Sequence, residues 1–228
     1  MCGRFSQAPS ARELAAQFDL VVVPEDLPPR YNVCPSQPVA AVREGEAGRR
    51  LVQLHWGLIP HWAKDAKAGY RMINAKAETL TERPAYRDAF RRRRCLIPAN
   101  GFYEWRGTGT GRKQPYYIHR RDGGLLALAG LWARWRNPAG EVIDSCTIVT
   151  TDANALVAPL HDRMPVIVPP EQYGLWLDPD CTDPARLAPL LRPIDPAGLV
   201  AEPVSLAVNS PRNEGADLIR PIEPDADA

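Results

Sequence analysis

The sequence predicts an α+β fold: a single mixed, β-rich domain with short peripheral helices. Of the 228 residues, 45% are hydrophobic and 24% are charged, which is ordinary for a globular protein with a large core. The 24 prolines are about twice the usual share, and they favour turns and short elements over long helices. Because no repeat or linker divides the chain, we expect one domain over residues 1–222 and a disordered acidic tail over 223–228.

Charge and cysteine content exclude several classes of protein. The net charge of +1 gives no global signal for nucleic-acid binding, so any anion-binding surface must come from local clustering. The longest apolar stretch, GGLLALAGLWA, is too short to span a bilayer, and the N-terminus lacks a signal-peptide pattern. The cysteines are scattered and form no C-x-x-C pair, which predicts a cytoplasmic protein with reduced thiols and no metal. These cysteines are Cys2, Cys34, Cys95, Cys146 and Cys181.

The first half of the chain predicts a helix and a hairpin. Residues 10–20 form the helix, in which Ser10 and Glu13 have the spacing of a capping box. Two strand-like segments, 39–44 and 49–59, flank the turn-like sequence GEAG and predict a β-hairpin.

A second helix is predicted over residues 81–94, with Pro84 in its first turn. Its RRRR run at 91–94 fits a solvated helix end better than a DNA-binding patch. Strand patterns return at 95–106, 114–120, 124–135 and 141–151, with the turn RDGG between the second and third of them. Further along, we expect a short helix, a loop and a strand within 152–168, two short helices at 169–177 and 183–191, and a last strand at 201–210.

The N-terminus, MCGRF, places Cys2 directly after Met1. If Met1 is removed, Cys2 presents an α-amine and a thiol on adjacent carbons. The thiol could attack an acyl carbon with the amine as its base. Alternatively, the amine could condense with an aldehyde to a Schiff base, which the thiol closes into a five-membered thiazolidine. The α-amine pKa of about 7.7–8.0 leaves a useful neutral fraction at pH 7. Position alone still favours an inconsequential cysteine.

Three other stretches carry candidate site residues. In RMINAKAETL, the Asn74 amide could fix an amine or polarise a carbonyl, although a turn or cap is the simpler interpretation. In IPANGFYEWR, Glu104 lies among aromatic residues, where partial desolvation would raise its pKa; a salt-bridged glutamate is an equal alternative. In PLHDRMPVIV, His161 lies in a loop between two prolines and could transfer protons near neutral pH.

Taken together and in this order, MCGRF, NAKAET, IPANGFYEW and HDRMPVI resemble the SOS response-associated peptidase (SRAP) family. The segments YNVCPSQ, WGLIPHWAKD, RCLIP and VNSPRNEG fit the same pattern, so the resemblance runs from residue 2 to about residue 215. It implies the SRAP fold and a role in DNA damage and repair: the processed N-terminal cysteine crosslinks to abasic sites in single-stranded DNA, and a stable thiazolidine shields the lesion. The peptidase of the family name is best taken as self-removal of Met1, with weak abasic-site lyase activity.

The resemblance also implies roles for individual residues. Cys2 is the nucleophile, and Asn74 orients its amine and the sugar. Glu104 is the general acid and base, and His161 assists opening of the sugar ring. The residues implied in DNA binding are Arg4, Asn32, Lys76, Trp105, Thr150 and Arg163.

This chain departs from the family pattern at two positions. Lys76 replaces the usual arginine, which keeps the charge but loses a bidentate grip on phosphate, so we expect weaker or more salt-sensitive DNA binding. Cys34 lies where relatives carry a small residue that is not a thiol, and packing in the core is the favoured interpretation.

Two alternatives remain. An N-terminal-nucleophile amidohydrolase also begins with Cys-Gly after processing, but the only NG pair here lies in ANGFYEW, which fits the SRAP pattern. A non-catalytic reader of single-stranded DNA would need neither Glu104 nor His161. The sequence thus predicts a monomer without cofactor, whose partner is single-stranded DNA containing abasic sites, located in the cytoplasm and on the nucleoid when bound.

Overall fold

The computed structural model describes residues 2–22, 27–107 and 113–223. Four α-helices are present in these ranges: α1 (Ala11–Phe18), α2 (Pro84–Arg92), α3 (Tyr173–Leu177) and α4 (Pro184–Leu187). The strands are β1 (Phe5–Gln7), β2 (Arg30–Val33), β3 (Pro38–Gly45), β4 (Gly48–Trp56), β5 (Asn74–Lys76), β6 (Arg94–Ala99), β7 (Gly101–Gly107), β8 (Lys113–Arg120), β9 (Leu126–Arg136), β10 (Val142–Asp152), β11 (Arg163–Pro165) and β12 (Leu199–Pro203). Except for Glu223, the predicted acidic tail lies outside the described residues.

Five strands close into a small barrel. The predicted hairpin, β3 and β4, pairs antiparallel from Pro38 opposite His55 to Gly45 opposite Gly48. Strand β4 pairs parallel with β10, β10 pairs antiparallel with β9, and β9 pairs antiparallel with β6. Pairing of β6 with β3 completes the ring. Closure removes the free edges of these strands, which explains how short elements build a stable sheet.

Strand β10 continues beyond the barrel and organises the next segments. On one side it pairs in parallel with β5, where Ile148 lies opposite Asn74. Further along it pairs antiparallel with β11, where Asp152 lies opposite Arg163. The long β10 therefore brings the NAKAET and HDRMPVI segments, almost 90 residues apart in the chain, to one end of the barrel.

A second sheet has the strand order β12-β8-β7-β1-β2. The N-terminal strand β1 lies inside this sheet, with Phe5 opposite both Val33 of β2 and Phe102 of β7. All three β1 residues are buried. The chain therefore begins as an interior strand, and the residues just before it are held in the fold.

The barrel strands are covered on both faces. One face packs on the helices, with Val42, Leu96 and Ala129 in the same cluster as buried residues of α1, α2 and α3. The other face packs on the second sheet, and this cluster includes Cys2 and Phe5. The predicted α+β, β-rich fold is confirmed. No helix among the described residues is long and apolar enough to cross a membrane.

The first helix forms where the sequence predicts it. The Ser10 hydroxyl accepts from the Glu13 N–H, and the Glu13 carboxylate accepts from the Ser10 N–H at 2.7 Å. This reciprocal cap satisfies two amide groups that the helix leaves unpaired. Leu14 and Phe18 are fully buried, and Phe18 stacks on Tyr173 with ring centroids 5.2 Å apart.

The interpretation of the RRRR run as a solvated helix end holds for Arg91 and Arg92 but is wrong for Arg94. Helix α2 ends at Arg92, and Arg94 starts strand β6 with only 3% of its surface exposed. Its guanidinium donates to main-chain carbonyls only, and burial lowers its pKa. The acceptors are the carbonyl oxygens of Phe90, Arg91, Trp176, Asp178 and Cys181.

Two predictions in the C-terminal half are also wrong. The short helix expected within 152–168 is a series of turns over 155–160. The Asn154 carboxamide oxygen accepts the N–H groups of Leu156 and Val157, as a helix N-cap does, but Pro159 has no N–H with which to continue the helical hydrogen bonds. The strand expected over 201–210 spans Leu199–Pro203 instead. It gives way to a 3₁₀-helix, Leu206–Asn209, which the Ser205 hydroxyl caps.

Candidate functional site

Strand pairing carries Cys2 to the predicted site. Phe5 lies opposite Phe102, and the Tyr103 N–H donates to the Arg4 carbonyl oxygen at 3.0 Å. Continuing this antiparallel register brings the chain before Arg4 beside Glu104. Cys2 itself is fully buried. Burial raises the pKa of its thiol, and the nearby Glu104 carboxylate raises it further. The thiol is therefore protonated at neutral pH and needs a base to become a nucleophile.

Asn74 holds the main chain of Cys2. Its side-chain nitrogen donates to the Cys2 carbonyl oxygen at 2.9 Å. Parallel pairing of β5 with β10 fixes the strand beneath it, and the Tyr86 hydroxyl donates to the Asn74 carbonyl at 3.3 Å. The Asn74 Oδ1 atom is buried and has no hydrogen-bond partner in the part of the chain that the structure describes. An acceptor in this condition costs about 1–3 kcal/mol, so it is available to a donor that enters the site.

The carboxyl group of Glu104 has a pKa close to neutral pH. Only 3% of its surface is exposed. Burial raises its pKa and the Asp162 carboxylate adds to the rise, while the N-terminal amine and Lys113 oppose it, and the resulting pKa is about 7. The prediction that desolvation raises the pKa of Glu104 is confirmed. Near pH 7 the group populates both protonation states, as a side chain that must donate and accept protons requires.

His161 lies two residues before the start of β11. Its Nδ1 accepts the N–H of Arg163 at 2.9 Å and also lies 2.7 Å from the Asp162 carboxylate. The two contacts require opposite protonation of Nδ1. The Arg163 N–H is fixed by the backbone, whereas the Asp162 side chain is 85% exposed and can rotate away. We therefore infer that Nδ1 is the acceptor and that Nε2 carries the proton. Burial lowers the pKa of His161, in agreement with a neutral ring.

These four residues belong to one neighbourhood. Asn74 donates a hydrogen bond to Cys2, and the Glu104 carboxylate raises the pKa of the Cys2 thiol. After burial, the N-terminal amine, Asp162 and Lys113 all perturb the pKa of both Glu104 and His161. The arrangement combines a thiol, an acid–base group, an amide and a neutral imidazole.

Among the six residues implied in DNA binding, Lys76 is exposed and Arg4 and Trp105 are partly exposed, while the other three are buried. Lys76 is exposed and lies opposite Thr150, two positions after Asn74. Trp105 follows Glu104 and is partly exposed, and its indole N–H donates to the Asn209 side chain at 2.7 Å.

Arg4 and Asn32 bind each other and the VNSPRNEG segment. The Arg4 guanidinium donates to Asn32 Oδ1 at 2.8 Å and to the Val208 carbonyl at 2.6 Å. Asn32 is 2% exposed, and its side-chain nitrogen donates to the carbonyls of Ser210 and Asn213. These side chains hold residues 208–213 beside the site.

Thr150 and Arg163 are also enclosed. Thr150 is fully buried. Arg163 is 9% exposed, and its guanidinium forms a bidentate pair with the Glu78 carboxylate at 2.8 and 2.9 Å. It also donates to Asp152 at 2.7 Å and to the Thr150 carbonyl at 2.7 Å. A phosphate could reach Arg163 only if some of these contacts opened.

Sequence reasoning missed Glu78, Asp152 and Asp162 as parts of the site. Glu78 lies within the NAKAET motif, which is the one signal that could have identified it. Cys34 is buried with its Sγ 3.3 Å from the Asn32 carbonyl, in keeping with a packing role. Within the described ranges, no group of three or more His, Cys, Asp or Glu side chains could hold a metal ion.

Comparisons with known proteins agree on one family. The chain is 44% identical over 221 residues to the abasic site processing protein YoqW of Bacillus subtilis, covering 96% of this chain and 99% of that one. It is 30% identical over 238 residues to mouse abasic site processing protein HMCES, covering 88% and 67%. A crystal structure of a protein from Bacteroides thetaiotaomicron superposes with a TM-score of 0.83 at 27% identity, covering 97% and 100%. The family model for SOS response associated peptidase (SRAP) matches residues 1–211, and the chain belongs to this family.

Proposed function

We propose that this protein processes abasic sites by crosslinking covalently to them in single-stranded DNA through Cys2, once Met1 has been removed. The names of its relatives support action on abasic sites. The observation that carries the chemistry is the contact of Asn74 with the Cys2 carbonyl beside Glu104, whose pKa is about 7.

In the proposed reaction, the Cys2 amine attacks the aldehyde carbon of the ring-opened sugar. One amine proton moves to the oxygen to give a carbinolamine, Glu104 in its acid form protonates the departing hydroxyl, and water leaves as the protonated Schiff base forms. Glu104, now a carboxylate, accepts the thiol proton as sulfur attacks the same carbon, and the C=N electron pair returns to the nitrogen, which keeps the proton it already carries. The product is a thiazolidine, and the two steps together release one water molecule.

Asn74 and His161 would prepare the reactants. With its nitrogen on the Cys2 carbonyl, Asn74 keeps its buried Oδ1 for the new N-terminal amine. The neutral His161 ring, with a proton on Nε2, would donate to a sugar oxygen and assist ring opening. Both residues would raise the reaction rate by positioning, because reactants that are already held in place do not lose translational and rotational entropy when they meet.

DNA binding would combine charge and stacking. Lys76 supplies a cation for the backbone and Trp105 an aromatic surface for a base, which suits binding without sequence preference. The other four residues would act mainly by shaping the site, and they are Arg4, Asn32, Thr150 and Arg163. The side chains of Arg4, Asn32 and Arg163 donate to groups of the protein itself, and Thr150 is buried. We also propose self-removal of Met1, weak lyase activity, a monomeric state and a location in the cytoplasm and on the nucleoid.

A gel experiment tests the proposal. Protein whose N-terminus has been checked by mass spectrometry is mixed with a single-stranded oligonucleotide containing one abasic site and run under denaturing conditions. We expect a heat-stable, DNA-shifted band without added reductant, and no band with an undamaged oligonucleotide or with protein that retains Met1. Salt-reversible binding without a covalent band would favour the non-catalytic reader. Hydrolysis of glutamine or another amide without a covalent DNA product would favour the amidohydrolase.

A further inference from the structure

Three arginine side chains lie at the end of the barrel opposite the candidate site, and we call them the arginine cluster. They are Arg43 of β3, Arg134 of β9 and Arg93, which directly precedes β6. Arg134 lies opposite Asp144 in the pairing of β9 with β10. Six positions of extended chain separate Asp144 from Thr150 beside the candidate site, so the cluster lies about 20 Å from the site along β10.

Trp132 of β9 contacts two members of the cluster and lies beside the third. It packs against the apolar residues that face the second sheet, a group that includes Ala41. Because side chains two positions apart on a strand share a face, Arg43 lies on the same side as Ala41, and Arg134 on the same side as Trp132. The Arg43 guanidinium is 4.1 Å from the centre of the Trp132 ring, and the Trp132 N–H donates to the Arg93 carbonyl at 2.8 Å. Three strands thus place cations around one indole ring.

Positive charge exceeds negative charge in the arginine cluster. The Arg134 guanidinium donates to both oxygens of Asp144 at 2.7 and 2.8 Å, and Arg43 lies 3.7 Å from the same carboxylate. One carboxylate therefore serves two guanidinium groups, and Arg93 adds a third cation. Burial lowers the pKa of Arg43, Asp144 opposes this change, and the neighbouring cations Arg50 and Arg134 add to it.

Two nitrogen atoms of the cluster are buried without an acceptor. They are Nη1 of Arg43 and Nε of Arg93, and neither makes a hydrogen bond within residues 2–22, 27–107 and 113–223. The Arg43 side chain is only 8% exposed. Because a buried donor without an acceptor is unfavourable, an anion that binds here would relieve a cost that the folded protein carries.

A small pocket opens beside these groups. Its volume is about 190 Å³, and Arg93, Arg134, Trp132, Ala133 and His61 line it. Sites for drug-sized ligands are typically about 300–1,000 Å³, so this pocket suits a single small group. Guanidinium groups match the geometry of phosphate oxygens, to which they donate two parallel hydrogen bonds.

We propose that this pocket binds a phosphate group, as free phosphate or as part of a DNA strand. Arg93 and Arg134 would donate to its oxygens, and the buried charge of Arg43 would add to the attraction from behind the Trp132 ring. This site is separate from the Cys2 site and independent of the proposed crosslinking, because phosphate binding is measured without abasic DNA.

An NMR titration of the full-length protein tests the proposal. The indole N–H signal of Trp132, assigned with Trp132→Phe, is followed as inorganic phosphate replaces chloride at constant ionic strength. We expect a saturable shift with a dissociation constant on the order of 1 mM. Arg93→Gln should weaken binding about tenfold, since a charge-assisted hydrogen bond is lost. Arg91→Gln removes the same charge at an exposed position of α2 and should leave the dissociation constant within about twofold.

A second titration, with an undamaged single-stranded oligonucleotide, distinguishes the two sources of phosphate. If the oligonucleotide also shifts the Trp132 signal and Arg93→Gln weakens its binding, the phosphate belongs to DNA; if only inorganic phosphate does so, the ligand is a small molecule. The proposal is overturned if neither probe gives a saturable shift, or if Arg91→Gln loses as much affinity as Arg93→Gln. If Arg93→Gln does not fold by circular dichroism, Arg134→Gln, at an exposed position, decides on the same criteria.

Discussion

Two clusters of buried polar groups, one at each face of the barrel, differ in how their polar atoms are paired. On the helix-covered face, Arg94 is surrounded by fixed, neutral carbonyl groups that each accept a hydrogen bond. On the face towards the second sheet, Asn74 has a buried oxygen without a partner in the described chain, and Glu104 has a pKa of about 7. The polar atoms around Arg94 are hydrogen-bonded and stabilise the fold. The burial of Asn74 Oδ1 and of the Glu104 carboxyl group costs free energy, and such groups are typical of sites that act on another molecule.

The largest effect should come from Cys2, the proposed nucleophile. We expect Cys2→Ala to abolish the heat-stable crosslink, since no thiol remains to close the ring, although a transient Schiff base or strand cleavage through the new amine can persist. A denaturing gel measures both. Cys34→Ala is the matched control, because Cys34 is also a buried thiol but contacts the Asn32 carbonyl. Equal loss in both variants would contradict a specific role for Cys2.

Removal of the Arg94 side chain should damage stability and spare the chemistry. Arg94→Ala leaves several buried carbonyl groups without a donor, and we expect a loss of about 3 kcal/mol or more in the free energy of unfolding. Urea denaturation measures it. Arg91→Ala, an exposed position in the same run, should change stability by less than about 0.5 kcal/mol. Similar losses in the two variants would mean that the contacts of Arg94 do not stabilise the fold.

Glu104 should make stability depend on pH. Burial raises its pKa from 4.5 in the unfolded chain to about 7 in the folded protein, so folding favours the protonated form. This contribution is complete below pH 4.5 and disappears as the pH rises through 7, and its size is on the order of 3 kcal/mol. Between pH 4.5 and 8, the unmodified protein should therefore lose more stability than Glu104→Gln. Urea denaturation at several pH values measures the difference, and parallel curves would contradict the burial argument.

The same variant should slow crosslinking. Glu104→Gln cannot transfer a proton, and general acid–base catalysis typically contributes at least about 100-fold. A time course at pH 7 gives the rate of band formation. Glu202→Gln is a suitable control, because Glu202 is a carboxylate that contacts His119 on the outer strands of the same sheet. An unchanged rate in Glu104→Gln would remove Glu104 from the mechanism.

The smallest effect concerns the first helix, far from the chemistry. Ser10→Ala removes the acceptor for the Glu13 N–H, and we expect a loss of about 1 kcal/mol in the free energy of unfolding. Ser10→Thr keeps a capping hydroxyl and should recover most of it. Both variants should crosslink at the original rate, so a slower rate in Ser10→Ala would show that the two faces are coupled.

Local signals explain which elements could be predicted from the sequence. The capping box at Ser10 and the hairpin around GEAG depend on residues close together in the chain, and both are found where predicted. The environment of Arg94 could not be predicted, because three of its acceptors come from residues more than 80 positions away. Turns rather than a helix follow Asn154 because Pro159 cannot continue the helical hydrogen bonds, and the prediction gave the apolar pattern more weight than this proline.

The candidate site follows the same rule. The raised pKa of Glu104 could be predicted from its aromatic neighbours on one strand. The contact between Asn74 and Cys2 spans 72 residues and depends on the pairing of β5 with β10 and of β1 with β7. The residue type of Arg163 indicates affinity for phosphate or carboxylate alike, and only the structure reveals that Glu78 and Asp152 occupy the guanidinium.

The anchor at residue 2 has a consequence for protein engineering. Asn74 binds the main-chain carbonyl, an atom that every amino acid has, so the attachment does not depend on the side chain that follows. A serine or threonine at this position would be held in the same way, with a hydroxyl in place of the thiol. On the proposed mechanism, the fold would therefore serve as a scaffold that presents different N-terminal nucleophiles to one aldehyde, and their intrinsic reactivities could be compared at constant geometry.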